Sequence, residues 1–216
     1  GGKYLADIDD VDTSGALKEL KECTFKIACD VDNPLCGERG ASHIYGPQKG
    51  ASDEDVIILD NALKNFADVT KKKLGADCAE TAGSGAAGGL GYAFRAYLNG
   101  ELKPGAEIVL DEIGIDKALL GADWLITGEG RIDSQTAMGK APATAALRAK
   151  KAGANVIGIA GCVTDDAYLC NGKGIDAIFS VIDKAMPLEE AMDKDVTVKN
   201  IKKTVTQIYR LIESVK

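Results

Sequence analysis

The chain has 216 residues, of which 27% are charged and 45% hydrophobic, with a formal net charge of −7. That length can hold one large domain or two modest ones, and an acidic chain with no long Lys/Arg run is a poor match for nucleic acid, whose phosphates demand clustered positive charge. No apolar run approaches the roughly 18 residues of a membrane span, and the start is neither basic nor apolar as a targeting peptide would be, so the composition points to a cytoplasmic protein with no membrane partner.

Six cysteines (Cys23, Cys29, Cys36, Cys78, Cys162 and Cys170) are scattered without a C-x-x-C pair beside a single histidine. They read as reduced thiols and not as a zinc site. The opening Gly1-Gly2-Lys3-Tyr4, in place of a methionine, suggests a processed, tagged or partial chain.

Residues 1 to 23 form an irregular, acidic lead-in with a short helical or turn segment through Leu17 and Leu20. Thr24 to Cys29 alternates as a strand and ends in Asp30-Val31-Asp32-Asn33-Pro34, where the aspartates suit a metal, a hydroxylated ligand or the turn itself. From Cys36 to Gly50 runs a Gly- and Pro-bearing loop with Arg39, His43, Gln48 and Lys49 as donors. His43 is either a general base or a hydrogen-bonded structural residue. Ser52-Asp53-Glu54-Asp55 then reads as a capped helix start, with Val56, Leu59, Leu63 and Phe66 as its apolar stripe and Lys71 to Lys73 closing its last turn.

Thr81 to Gly91 holds five glycines ahead of the helical Tyr92 to Leu98. Exposed backbone amides before a helix suit a phosphate, although the same small residues also suit close helix packing. No Gly-Lys-Ser/Thr closes the loop, which excludes a Walker A motif. Glu107 to Leu110 resembles a short strand, and a helix follows from about Ile115 to Leu120.

Beyond it the rhythm becomes that of a parallel α/β sheet: a strand over 123–127, a helix over about 135–152, a strand over 155–160 and another near Ile178 to Val181. A final helix follows, with Val198, Ile201, Val205, Ile208 and Ile212 as its stripe. Thr127-Gly128-Glu129-Gly130-Arg131-Ile132-Asp133-Ser134-Gln135-Thr136 reads as a strand ending at a loop, with two carboxylates and a guanidinium at the tip. Gly161-Cys162 and Thr164-Asp165-Asp166 lie at a second strand end, the side on which such sheets bind ligands.

Ala28 to Gly37, Tyr45 to Ala51, Gly85 to Gly91 and Thr127 to Asp133 with Gln135 together resemble the glycerate kinase family, in order and across essentially the whole chain. The resemblance implies two α/β domains with a cleft between them, over residues 1–120 and 121–216, the second a flavodoxin-like parallel sheet lacking its N-terminal strands. It also implies phosphorylation of D-glycerate by ATP with Mg²⁺. Family members begin with a strand and an Asp-Ser-Phe-Lys-Gly-Ser-type loop that has no counterpart here. The chain is therefore expected to be the C-terminal part of a longer enzyme, partnered by its N-terminal half or by a second copy.

Phosphoryl transfer needs charge neutralisation, a positioned hydroxyl and a carboxylate. The expected phosphate cradle is Gly83, Ser84, Gly85, Gly88 and Gly89. Asp133 or Glu129 would bind Mg²⁺ or act as base, with Asp133 the expected metal ligand. Arg131 would pair with the glycerate carboxylate or a phosphate, Gln135 would bind substrate, and Asp30, Asp32, Asn33 and Lys49 would form a second wall. A non-catalytic half that binds nucleotide or a sugar acid is the alternative.

Overall fold

The structure is a computed structural model, and it describes residues 1–214. The chain divides into two compact units, Gly1–Ile108 and Val109 onward, each built around parallel strand pairing.

In the N-terminal unit β1 (Lys26–Ala28) pairs in parallel with β2 (Glu101–Lys103). Between them lie α1 (Ala41–Tyr45), α2 (Asp53–Leu74) and α3 (Ala86–Leu98). Short 3-10 turns at Gly2–Asp7, Lys18–Lys21 and Pro47–Lys49 complete it. The start of α2 follows from its sequence: the Ser52 hydroxyl accepts the Asp55 amide while the Asp55 carboxylate accepts the Ser52 amide, a reciprocal cap. Leu35, Ala41, Leu63, Ala67 and Tyr92 make the core. Fully buried Tyr92 meets Phe66 edge-on at 5.7 Å, and its hydroxyl donates to the Ala67 carbonyl.

α4 (Gly105–Glu112) replaces the strand expected at Glu107 to Leu110. Its start is held from outside the local sequence, because the Gly105 amide donates to the Asp30 carboxylate at 2.9 Å. A distant acceptor of this kind satisfies one of the orphan amides of a first turn, and β propensity in Ile108 and Val109 yields to it. α5 (Ile115–Ala118) follows.

The C-terminal unit carries a parallel sheet in the order β3-β4-β5: β3 (Trp124–Ile132), β4 (Asn155–Val163) and β5 (Ala177–Ser180). β4 is central and the most deeply buried strand. The expected helix over 135–152 is two helices, α6 (Ser134–Ala137) and α7 (Ala141–Lys151). Gly139 at φ 107 breaks the run, and Pro142 restarts it in the first turn of α7. A 3-10 stretch at Asp165–Lys173, α8 (Leu188–Met192) and α9 (Lys194–Ser214) complete the unit. Ile132, Ala146, Ala149, Val156, Ala160 and Ile175 form its core, where α7 packs on one face of the sheet. Among the described residues no helix is long and apolar enough to cross a membrane.

Candidate active site

β3 does not stop at Thr127. It continues through the whole of Gly128-Glu129-Gly130-Arg131-Ile132, so the expected loop is strand, and neither Gly128 nor Gly130 has positive φ. At Gly128 the requirement is space: a Cβ there would sit 2.2 Å from the Ile159 carbonyl oxygen of the neighbouring strand. The carboxyl end of β3 runs directly into Asp133, the N-cap of α6.

This local fold assembles a polar cluster. The Asp133 carboxylate accepts the amides of Gln135 at 3.0 Å and Thr136 at 3.3 Å, while Thr136 Oγ1 accepts the Asp133 amide at 3.2 Å. The same hydroxyl donates to Glu129 Oε1 at 2.5 Å, so Thr136 holds both carboxylates, Glu129 through its hydroxyl and Asp133 through its backbone amide. Arg131 Nε lies 3.3 Å from Asp133 Oδ2, and Lys140 Nζ is 3.9 Å from Oδ1. A third carboxylate joins from the end of β4: Thr164 donates to Asp166 and to the Ile132 carbonyl. The Thr164 and Ser134 hydrogen bonds hold the Asp166 carboxyl below the usual carboxylate range. Burial pushes the neighbouring Cys170 thiol up, and the charges of Glu129, Asp133 and Asp166 add to that shift.

Glu129, Arg131 and Asp133 are thus brought together as the sequence suggested, and Gln135 contributes its amide. Thr136, Lys140, Thr164, Asp166 and Cys170 complete the cluster without having been singled out as site residues. Thr136 lay in the Thr127-to-Thr136 stretch and Thr164-Asp165-Asp166 at a strand end, whereas Lys140 and Cys170 carried no sequence signal. Among the described residues no group of three or more His, Cys, Asp or Glu is arranged to hold a metal ion.

A second constellation lies in the N-terminal unit. The Asn33 carbonyl accepts the Gly85 amide at 2.9 Å, which joins the Asp30-to-Pro34 turn to the glycine-rich stretch. Asn33 also donates from Nδ2 to the Arg39 carbonyl at 2.8 Å and accepts the Tyr45 hydroxyl at 2.5 Å. Asp32 pairs with Arg39 at 3.2 Å on the surface, and Asp30 holds the start of α4. Lys49 is exposed at the end of its 3-10 turn. His43 Nδ1 is 3.6 Å from Asp60, whose carboxylate accepts the Gly37 amide.

Within the glycine-rich stretch the roles divide. Ser84 is fully buried, with its hydroxyl donated to the Cys78 carbonyl at 2.6 Å. A Cβ at Gly85 would sit 2.3 Å from the Pro34 oxygen; one at Gly83 would meet Leu102 and Cys29, and one at Gly89 would meet Leu35. Gly88 alone of these faces open space. Ala87, Gly88 and Gly89 all take positive φ, a left-handed turn at the head of α3.

Comparison with known proteins identifies the family. Glycerate 2-kinase of Escherichia coli K12 is 48% identical over 191 residues, covering 88% of this chain and 50% of its own length. Glycerate kinase of Bacillus subtilis 168 is 45% identical, with 89% and 50% covered. The crystal structure of a protein assigned as glycerate kinase 2 from Salmonella typhimurium LT2 superposes with a TM-score of 0.83 at 42% identity, over 99% of this chain and 55% of that one. The chain therefore spans about half the length of the curated relatives it matches. The model of the glycerate kinase family matches residues 1–213, and the chain belongs to that family.

Proposed function

We propose that the chain carries the phosphoryl-transfer machinery of a kinase that phosphorylates D-glycerate at the expense of ATP. The observation that carries this reading is the Thr136-bridged pair of Glu129 and Asp133 beside Arg131 and Lys140, in a chain of this family. Carboxylates and cations on one strand end are what in-line transfer asks of a protein, which has little covalent chemistry to perform and much charge to position.

Mg²⁺ in such sites typically takes one or two protein carboxylates and completes its octahedron with phosphate and water. Glu129 and Asp133 fit that donor set. ATP with Mg²⁺ would supply the phosphoryl group and neutralise its charge. Asp133 Oδ1 already receives two amides, which fixes its carboxylate in orientation and suits it to the metal. Glu129, held at one oxygen by Thr136, would orient the glycerate hydroxyl and accept its proton. Arg131 would pair with the glycerate carboxylate, and Lys140 would face the transferred phosphate. Gly88, at the open part of the left-handed turn, would present backbone amide to a phosphate. A cytoplasmic location accords with six free cysteines.

Coupled measurement of ADP release from the purified chain, with ATP, Mg²⁺ and D-glycerate, tests the reading. Turnover is expected to require D-glycerate and to fall at least about a hundredfold in Asp133→Asn. ADP release indifferent to D-glycerate, or unaltered by that substitution, overturns it. Calorimetric binding of ATP or D-glycerate with no turnover would assign the chain to the non-catalytic alternative, which its half-length match to the relatives motivates.

A further inference from the structure

We propose that the apolar groove between the β3-β4-β5 sheet and helices α8 and α9 seats the base of the nucleotide, an adenine read by the side-chain amide of Asn200.

The lining fixes the class of occupant. The groove has a volume of about 790 Å³, within the roughly 300–1,000 Å³ of small-molecule clefts. Ile126, Ile159 and Val181 give it apolar surface from the sheet side, and Leu188, Met192 and Ile201 from α8 and α9. Among the described residues no Lys or Arg lines it, and its one charged residue, Glu129, has its carboxylate engaged by the Thr136 hydroxyl. With no cation in the wall, a phosphate or a glycerate carboxylate would be desolvated there without compensation. A flat, neutral group with apolar faces is what the groove accepts.

Two residues require more than apolar filling. Asn200 lines the groove at 5% exposure, and its Nδ2 has no hydrogen-bond partner. A buried amide donor requires an acceptor, and a purely apolar occupant supplies none. The last torsion of an Asn side chain is broad and roughly two-fold, so either edge of the amide can be turned to a ligand. Its paired donor and acceptor match the N7 and N6 positions of adenine. Gly130 is the second residue. It lies inside β3 without positive φ, and a Cβ there would meet nothing within 4 Å. Neither backbone conformation nor packing accounts for a glycine that weakens the strand, whereas close approach of a ligand does. Met192, 74% exposed, and Met186 add polarizable thioethers suited to an aromatic ring.

Position agrees with this chemistry. The groove reaches Gly128 to Gly130 and Ala160 to Cys162, toward the carboxyl ends of β3 and β4, the side on which parallel α/β sheets hold ligands. Glu129 belongs both to its wall and to the cluster held by Thr136, so the base seat adjoins the residues proposed for phosphoryl transfer. The choice of adenine rests on the ATP-dependent reading proposed above, while the flat and neutral character of the occupant follows from the lining alone.

Cys162, an exposed thiol in the groove wall, reports occupancy. In the purified 216-residue chain, its alkylation by iodoacetamide, followed by peptide mass spectrometry, is expected to slow about tenfold or more with adenosine or ATP. Cys23, which does not line the groove, should react at an unchanged rate. Asn200→Leu matches the amide in shape and leaves no polar group to satisfy. Circular dichroism is expected to show its fold intact, and the adenosine concentration for half protection to rise about tenfold or more. Inosine, with a carbonyl in place of the N6 amino group, is expected to protect the parent chain about tenfold less well, a comparison independent of any variant. A Cys162 rate unchanged by adenosine up to its solubility limit, and by ATP, overturns the proposal and leaves the groove to a protein partner. Equal protection by inosine, or in a folded Asn200→Leu, overturns the role of Asn200. ADP release that depends on D-glycerate beside an unprotected Cys162 defeats the base seat alone, whereas protection without such turnover defeats the transfer reading alone.

Discussion

Thr136 is fully buried, and its hydroxyl both accepts the Asp133 amide and donates to Glu129. Thr136→Val removes the bridge at nearly constant volume and is expected to lower kcat/KM by about tenfold to a hundredfold, the usual cost of losing a group that orients a ligand. Thr136→Ser keeps the hydroxyl and is expected to retain most activity in the same ADP-release assay. The two carboxylates were legible in the sequence because charged residues beside glycines at a strand end have few structural uses. The role of Thr136 was not, since a buried hydroxyl acts only through a side chain seven positions away and an amide three positions away, whose placement depends on where β3 ends. Thiol chemistry gives a second check at this scale. Burial pushes Cys36 up to about 12, with the Asp60 and Glu80 charges adding to the effect, and burial also raises Cys170. Iodoacetamide at neutral pH is therefore expected to label exposed Cys23 and Cys162 well ahead of Cys36 and Cys170 by peptide mass spectrometry.

Among the elements, α2 was readable down to its cap, whereas β3 was mistaken for a shorter strand and α4 for a strand. The difference is locality. The Ser52 to Asp55 box is contained in four residues. The extension of β3 through Gly128 to Ile132 depends on its register with Ile159 to Val163, and α4 depends on Asp30. Close contact is equally non-local: Gly85 must lack a Cβ because the Pro34 carbonyl occupies the space. Gly85→Ala is expected to destabilise the N-terminal unit by about 2 kcal/mol or more through backbone overpacking, and Ser52→Ala by about 1 kcal/mol through loss of the cap. Urea unfolding followed by circular dichroism measures both, and a Gly85→Ala midpoint equal to the parent's would contradict the packing account.

For the molecule as a whole, the α/β class was legible from the alternation of strands and helices after residue 120, but the division after Ile108 was not. No linker composition marks it, because α4 itself spans the boundary. Charge gives a global prediction. Asp176 is held below its ordinary value of 3.8 by the Val156 amide and by Lys150, and Asp183 by Lys203. A lowered folded-state pKa contributes stability that is present above the unfolded value and lost as pH falls through the folded one. Melting temperature is therefore expected to drop as pH is taken from about 5 to 3, and to drop less in Asp176→Asn than in the parent. Lys71, raised by Asp77, and Lys184, raised by Glu190, act in the opposite sense and lose their contribution only as pH climbs past 10.5.

The pairing of Lys26 with Glu101 has a kinetic meaning. β1 cannot meet β2 until α1, α2 and α3 have been traversed, whereas β3 meets β4 across α6 and α7 alone. Closing the longer loop costs more chain entropy before any strand bond rewards it. In stopped-flow refolding, the single Trp124 in β3 should therefore report native fluorescence earlier than probes attached near β1 report theirs.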